Sequence, residues 1–175
     1  VKPDKVAFAS EEATLTFRQV YDQARAIGSF LAREGFYKRP VVVFMKKQPR
    51  TLAAFFGAIY GGNYYVPLDE EMPRHRIELI FNTLEPGAMI CDESTRAMAQ
   101  EMAYKGAVYT YEEMAACPVD DAALASIRAR QLDIDPIYIV FTSGSTGVPK
   151  GVMACHRSVL DYVEHLCEVL KFDED

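Results

Sequence analysis

The run "VVVFM" at residues 41–45 constrains the fold more than any other stretch of the sequence. Its apolar residues are continuous rather than alternating, so a strand there would present apolar side chains on both faces. Such a strand is typical of a parallel sheet that helices cover on both sides. Further short strand-like runs follow, in the order "NYYVPL", "AMIC", "AVYT" and "IYIVF", with helical patterns between several of them. The sequence therefore predicts a three-layer α/β fold with a mostly parallel sheet and helices on both faces.

Two short strand-like runs, "VAFAS" and "ATLTF", precede the first predicted helix. The apolar positions of that helix recur every three or four residues, which predicts one buried stripe: Phe17, Val20, Ala24, Ile27 and Leu31. Thr16 and Gln19 have the spacing of a capping box, and Gly35 suits a left-handed helix exit.

Later helices are predicted from similar patterns. A second helix from about Pro49 has apolar residues around most of its circumference, which predicts a buried helix: Leu52, Phe55, Phe56, Ile59 and Tyr60. Gly61 and Gly62 end it, and Pro73 suits the first position of a third helix. Ser94 is the predicted cap of a short helix. The run "IYIVF" is the last predicted strand, and an amphipathic helix follows it with this stripe: Val159, Val163, Leu166 and Leu170.

The overall composition excludes several classes of function. A formal net charge of -6 without a basic stripe argues against nucleic acid as a partner. No apolar run approaches the roughly 18 residues of a membrane span, so no membrane is expected. The four cysteines are far apart and form no C-x-x-C pair, so neither a zinc site nor a redox pair is indicated. Reduced thiols indicate a cytoplasmic location.

The stretch "FTSGSTGVPKG" at residues 141–151 is the strongest functional candidate. It follows a predicted strand, and open α/β sheets bind ligands beyond the carboxyl ends of their strands. Glycines allow backbone N–H groups to converge, and hydroxyls together with the Lys150 ammonium suit a polyphosphate. A Walker A loop is excluded because Pro149 precedes the lysine and Gly151 follows it. A long hairpin turn is the alternative, since glycine, serine and threonine are common turn residues.

Other candidate sites are weaker. His156 and Arg157 open the last predicted helix, where a cation opposes the helix dipole, so both a functional and a surface role stay open. The carboxylates Asp69, Glu70 and Glu71 follow a strand and precede a proline, which favours a solvated turn over a metal site. His75 and His165 are expected at the surface. No serine, histidine and carboxylate stand in a pattern that indicates triad chemistry.

Three segments, in the same order, carry a resemblance to a known family. "YIVFTSGSTGVPKGVMACHRSV" resembles the phosphate-binding signature of the adenylate-forming superfamily. "LTFRQVYDQARAIGSFL" is similar to an early helix of that family, with Phe17 where tyrosine is usual. "GAIYGGNYYVPLDEEMPRHRIELIF" is similar to a segment of its amino-acid-activating members, with Gly62 and Asn63 in place of an Ala-Gly pair. The match is closer to nonribosomal peptide synthetase adenylation domains and D-alanine carrier-protein ligases than to CoA ligases.

The resemblance implies a reaction in two halves. A carboxylate, such as that of alanine, attacks the α-phosphate of Mg-ATP to give an acyl-adenylate, and the phosphopantetheine thiol of a carrier protein then takes the acyl group. Residues matched to the family's loop would hold the β- and γ-phosphates: Thr142, Ser143, Gly144, Ser145, Thr146, Gly147 and Lys150. Two alternatives stay open, a fragment of an acyl- or aryl-CoA synthetase and a stand-alone nucleotide-binding module.

The same resemblance implies that the chain covers about the first third of such an enzyme. No complete catalytic set or metal site is then expected here, and the Mg²⁺-linked carboxylate would lie outside this chain, so the fragment alone is expected to be inactive. Residues 1–36 would form a hairpin and helix that pack on a second subdomain outside this chain. Residues 40–175 would form an α/β subdomain with the phosphate-binding loop at 142–151.

Overall fold

The computed structural model describes residues 2–102, 104–142 and 148–171. Its helices and strands alternate along most of the chain, in the following order: β1 (Val6–Ala9), β2 (Thr14–Thr16), α1 (Phe17–Arg33), β3 (Pro40–Phe44), α2 (Pro49–Tyr60), β4 (Tyr64–Leu68), α3 (Arg74–Leu84), β5 (Ala88–Cys91), α4 (Arg96–Glu101), β6 (Ala107–Thr110), α5 (Tyr111–Ala115), α6 (Asp121–Arg128), β7 (Pro136–Thr142), β8 (Lys150–Cys155) and α7 (His156–Leu170).

The main sheet has the strand order β6-β5-β3-β4-β7-β8, and β1 pairs with β2 in a separate hairpin. Strands β3 to β7 run parallel, with β3 flanked by β4 and β5, so their carboxyl ends share one edge. This confirms the predicted mostly parallel sheet. The edge strand β8 is antiparallel to β7, and the prediction that "IYIVF" is the last strand was wrong. The β8 sequence "KGVMAC" has four exposed residues at its start, so it lacks the alternation that would reveal a half-buried strand.

Helices cover both faces of the sheet, as predicted. All five residues of β3 are buried, because its side chains alternate between the two faces. Val41 and Val43 pack in one core with α1, α2 and α5. Val42 and Phe44 pack in the other core, with α3 and α4. The continuous run "VVVFM" is therefore the strand that holds the two cores together.

Helix α1 begins with the predicted capping box. The Gln19 N–H donates to the Thr16 hydroxyl at 3.2 Å, and the Thr16 N–H donates to the Gln19 side chain at 2.9 Å. Gly35 follows the helix with a φ of 80°. Most of the predicted stripe is buried, but Phe17 at its start is exposed. Because α1 packs on α2, α5 and α6, the proposed 1–36 unit contacts the 40–175 unit directly. Packing of α1 on a further subdomain stays a prediction.

Helix α2 has the predicted start and end but buries a different set of residues. Its large apolar side chains are only half-buried, or exposed as at Phe56 and Tyr60. Its small residues are buried instead: Ala53, Ala54, Gly57 and Ala58. The prediction that these large side chains are buried was wrong, because α1 approaches α2 too closely for large side chains to fit between the two helices. A Cβ added at Gly28 of α1 would lie 2.7 Å from the Cβ of Tyr60.

Two smaller expectations also change. Thr95, rather than Ser94, occupies the cap position of α4, and the Asp92 carboxylate accepts both of their backbone N–H groups at 2.9 Å. Pro73 is the cap residue of α3 rather than its first helical residue.

The last amphipathic helix forms as α7, yet none of its residues is buried. No helix within the described ranges is both long and apolar enough to cross a lipid bilayer.

Candidate functional site

The candidate loop connects β7 to β8 at the shared carboxyl edge of the parallel strands. Thr142, the last residue of β7, lies opposite Lys150, the first residue of β8. The Thr142 hydroxyl donates to the Lys150 carbonyl at 3.4 Å. A hairpin therefore holds the two ends of the loop together. The hairpin and phosphate-binding interpretations are compatible, because a hairpin at this edge would present the loop where ligands bind in such sheets.

The structure places two of the seven predicted phosphate-binding residues. Thr142 and Lys150 are both exposed and lie on neighbouring strands. The other five predicted residues, Ser143, Gly144, Ser145, Thr146 and Gly147, lie outside the described residues. Of the segment that returns to β8, Val148 is exposed and Pro149 is buried. The exposed hydroxyl and ammonium could both reach an anion at this edge.

Gly151 shapes the base of the loop. It pairs with Phe141 across the hairpin. A Cβ at residue 151 would lie 2.9 Å from Cγ2 of Ile139 and 3.2 Å from the Phe141 ring. The glycine thus allows β8 to pass directly over two apolar side chains of β7. In the sequence, Gly151 served only to exclude a Walker A loop, and this packing role was not predicted.

A cavity of about 500 Å³ adjoins the base of the loop. The cavity lies between α2 and the carboxyl ends of β3, β4 and β7, and its lining is mostly apolar: Val43, Met45, Lys47, Gln48, Thr51, Leu52, Phe55, Pro67, Leu68, Asp69, Met72, Val140 and Phe141. The cavity was not predicted from the sequence, because its lining comes from three stretches that are far apart in the chain: residues 43–55, 67–72 and 140–141. The available signal was the position of these stretches at strand ends and at the start of a helix.

The carboxylates after β4 form a turn, as predicted. Asp69 accepts the Glu71 backbone N–H at 3.1 Å, and the Met72 N–H donates to the Asp69 carbonyl at 3.0 Å. The Lys47 ammonium lies 2.6 Å from the Asp69 carboxylate. This contact and the Glu71 N–H lower the pKa of Asp69. Across residues 2–102, 104–142 and 148–171, no group of three or more histidine, cysteine, aspartate or glutamate side chains could hold a metal ion.

His156 and Arg157 open α7 without placing a free cation at the positive end of the helix dipole. The Arg157 guanidinium pairs with Asp133, with Nε 2.8 Å from Oδ2. Burial lowers the pKa of His156, although the nearby Asp135 carboxylate opposes the shift. The Nε2 atom of His156 is buried and has no hydrogen-bond partner in the part of the chain that the structure describes. The lowered pKa favours the uncharged imidazole, which does not oppose the helix dipole. His75 and His165 are exposed, as expected.

A buried carboxylate, Asp92, forms a partly exposed ion pair with Arg50 where β3 and β5 end, and no pattern in the sequence predicted it. The Arg50 guanidinium, at the start of α2, contacts Asp92 at 3.4 Å and Glu112 at 2.8 Å. Asp92 is completely buried. Burial alone would raise its pKa, but hydrogen bonds from Ser94 and Thr95 and the charge of Arg50 outweigh burial and lower it. The cluster ties α2 to the ends of β5 and β6.

The fold and the site define a class of protein. It is an α/β domain with a mostly parallel sheet, a hairpin at the carboxyl edge whose connecting sequence is rich in glycine and hydroxyl residues, and an adjoining apolar cavity. The chain belongs to the AMP-binding enzyme family, whose sequence model matches residues 1–175. The resemblance that the three sequence segments carry is thereby confirmed.

Curated relatives match nearly the whole chain. One subunit of the mycosubtilin synthase of Bacillus subtilis is 32% identical over 174 residues, which are 98% of this chain and 6% of the relative. A D-alanine–D-alanyl carrier protein ligase of Staphylococcus aureus is 30% identical over 171 residues, 97% of this chain and 33% of the relative. The chain thus spans a third or less of these relatives.

Solved structures share the fold. The complex of VinN with 3-methylaspartate superposes with a TM-score of 0.82 at 21% identity, covering 100% of this chain and 50% of that one. The nonribosomal peptide synthetase FmoA3, bound to α-methyl-L-serine-AMP, gives a TM-score of 0.80 at 24% identity, covering 95% of this chain and 18% of that one. At these identities the likeness establishes the fold alone.

Proposed function

We propose that this chain is the N-terminal part of an ATP-dependent ligase that activates a carboxylic acid as an acyl-adenylate. The observation that carries the proposal is the position of the loop. Thr142 and Lys150, the first and last of the proposed phosphate-binding residues, lie opposite each other at the carboxyl edge of the sheet, in a chain that belongs to the AMP-binding enzyme family.

In the proposed reaction, the substrate carboxylate attacks the α-phosphate of ATP and pyrophosphate leaves. Negative charge grows on the departing pyrophosphate, and the proposed residues stabilise that charge with backbone N–H groups, hydroxyls and one ammonium: Thr142, Ser143, Gly144, Ser145, Thr146, Gly147 and Lys150. Mg²⁺ that arrives with ATP would neutralise part of the same charge.

The acyl substrate is proposed to be an amino acid such as alanine, and the acceptor to be the phosphopantetheine thiol of a carrier protein. Support comes from the names of the relatives, a carrier protein ligase for D-alanine and a subunit of mycosubtilin synthase. The alternative of a CoA synthetase would be favoured if the full-length protein transferred its acyl group to CoA. We place the enzyme in the cytoplasm, where ATP is available, and propose neither nucleic acid nor a membrane as a partner.

Replacement of Lys150 tests the phosphate-binding role. In the full-length protein, Lys150→Ala should slow ATP–pyrophosphate exchange by about 100-fold, because one charged contact to the leaving group is lost. Lys105→Ala is the matched control, since Lys105 is also exposed but precedes β6 at the opposite edge of the sheet. Unchanged exchange in the Lys150 variant, with an intact circular dichroism spectrum, would remove this lysine from the site.

A further inference from the structure

A cleft of about 450 Å³ opens at the edge of the sheet opposite the candidate loop, where β3, β5 and β6 begin. Its walls come from the last turn of α3 and from the short connections that lead into these three strands. The described lining residues lie between positions 39 and 106, and none of them belongs to the loop or to α7. Small ligands bind to proteins in clefts of about 300–1,000 Å³. The cleft is therefore large enough to hold a ligand of its own.

The charged groups among the described lining residues are two cations, Arg39 and Lys105, and one carboxylate, Glu85. Neither cation forms an ion pair with any residue that the structure describes. The chain as a whole has a formal net charge of -6, so the excess of positive charge is a local property of this cleft. Such an excess attracts an anion.

Two aromatic rings supply the apolar part of the lining. The rings of Phe81 and Tyr104 have centroids 5.2 Å apart and an interplanar angle of 48°. The Tyr104 hydroxyl donates to the Pro86 carbonyl at 3.0 Å, which holds that ring in place. Burial raises the pKa of Tyr104 to about 12, so the phenol stays uncharged at neutral pH and does not repel an anion. The cleft therefore offers positive charge and an apolar wall to the same ligand.

Two features of the backbone fix the shape of the cleft. Gly106 lies against Tyr104, and a Cβ at residue 106 would overlap the tyrosine hydroxyl. The Arg39 N–H donates to the Asn63 side chain at 3.1 Å, and the Arg39 carbonyl accepts the Tyr64 N–H at 3.2 Å. The aromatic wall and the base of the arginine side chain are thus in place before a ligand arrives, which lowers the cost of binding.

We propose that this cleft binds a small organic carboxylate with an aromatic or aliphatic body, at a site separate from the phosphate-binding loop. The guanidinium of Arg39 and the ammonium of Lys105 would hold the carboxylate, since a guanidinium can donate two parallel hydrogen bonds to it. The body of the ligand would pack on Phe81 and Tyr104. Inorganic phosphate would satisfy the two cations but leave both rings uncovered, so the lining favours a carboxylate that carries apolar surface.

Binding of 3-phenylpropanoate to the full-length protein, measured by ligand-observed NMR, tests the proposal. The dissociation constant should be about 1 mM or lower. Inorganic phosphate carries the charge without the ring, and 3-phenylpropanol carries the ring without the charge. Each of these two probes should bind at least about fivefold more weakly, because each loses one half of the contacts. Equal binding of either control probe would overturn the proposed ligand class.

Variants of the charged lining residues should change the affinity for 3-phenylpropanoate in opposite directions. Arg39→Gln and Lys105→Ala each remove a cation and should weaken binding at least about fivefold. Glu85→Gln removes the carboxylate and should strengthen binding about twofold. Arg128→Gln is the control, because Arg128 is an exposed residue at the end of α6 that does not line the cleft. A purely structural effect would weaken binding in all three lining variants.

The location of the bound probe decides the remaining outcomes. Unchanged affinity in Arg39→Gln and Lys105→Ala, or displacement of 3-phenylpropanoate by Mg-ATP, would place the probe elsewhere and overturn the proposal. Weaker binding in Glu85→Gln would contradict the role of charge. ATP–pyrophosphate exchange, measured without the probe, should be the same in every variant because none of the changed residues belongs to the loop. Failure of the proposed function would therefore leave this binding unaffected.

Discussion

Arg50 shows how one residue connects separate parts of this fold. It stands at the start of α2, and its guanidinium reaches Asp92 after β5 and Glu112 in α5. Asp92 is fully buried, while about a third of the Arg50 side chain is exposed. A buried carboxylate needs such partners, since an unpaired charge in the interior is costly. The pair therefore fixes the position of α2, whose first turn lines the cavity beside the loop.

Removal of Arg50 tests this role. Arg50→Ala should lower the free energy of unfolding by about 1–2 kcal/mol. This loss is smaller than the usual cost of breaking a buried ion pair, because Ser94 and Thr95 still donate hydrogen bonds to Asp92 in the variant. Urea denaturation measures the change. Arg96→Ala is the control, because its pairing with Glu93 is exposed and should contribute less than about 0.5 kcal/mol. Equal stability of the two variants would show that Arg50 is not needed by Asp92.

His156 gives the stability a pH dependence of known sign. Burial lowers its pKa below the ordinary value near 6.5, so the unfolded chain takes up a proton at a higher pH than the folded chain does. Stability is retained above pH 6.5 and falls as the pH drops towards the folded pKa, by at most about 1.4 kcal/mol per pH unit. Urea denaturation at pH 7.5 and 5.5 should show this loss, and His156→Gln should reduce it. His165→Gln, at an exposed position, should leave it unchanged, and an equal effect of both variants would contradict the assignment.

At the scale of elements, the helices show what a sequence pattern can and cannot predict. The stripe of α1 and its capping box were predictable, because periodicity and local spacing determine both. The buried side of α2 was not. Its large residues suggested burial, yet the close approach of α1 selects alanine and glycine for the contact. Which two helices pack closely depends on the tertiary structure, so the spacing of residues within one segment does not predict it.

The contact between α1 and α2 gives a prediction of its own. A Cβ at Gly57 would overlap the Ile27 side chain, so Gly57→Ala should destabilise the chain by about 1–3 kcal/mol through overpacking. Ile27→Ala leaves a cavity and should also destabilise it. The double variant should be more stable than the sum of the two effects predicts, by at least about 0.5 kcal/mol. Additive changes in urea denaturation would show that the two residues do not share a contact.

The sequence predicted where the ends of the candidate loop lie in the fold, but it predicted neither the hairpin strand β8 nor the cavity beside the loop. Glycines, hydroxyls and a lysine after a predicted strand located the loop correctly at the carboxyl edge. The second strand of the hairpin was missed, because the exposed residues of β8 carry no pattern. The cavity next to the loop was missed because three stretches that are far apart in the sequence line it: residues 43–55, 67–72 and 140–141. Local patterns therefore predict elements and strand ends, while the shape of a site depends on how those elements meet.

At the scale of the whole molecule, we propose that this chain supplies only the phosphate-binding part of an active site. The sheet places one exposed hydroxyl and one exposed ammonium, Thr142 and Lys150, at its carboxyl edge. Phosphate contacts of this kind bind any polyphosphate weakly and do not recognise a base or a ribose. The remaining contacts of a nucleotide are proposed to come from the parent protein.

Residues 1–175 alone should therefore show no ATP–pyrophosphate exchange, while the full-length protein should show it with the correct amino acid. Calorimetric titration of the isolated chain with Mg-ATP should give a dissociation constant weaker than about 1 mM, equivalent to less than about 4 kcal/mol of binding free energy. Titration with inorganic pyrophosphate should give a similar constant, because the phosphates make all of the contacts. Micromolar binding of ATP, or a clear preference for ATP over pyrophosphate, would show that this chain already recognises adenosine and would favour a stand-alone nucleotide-binding module.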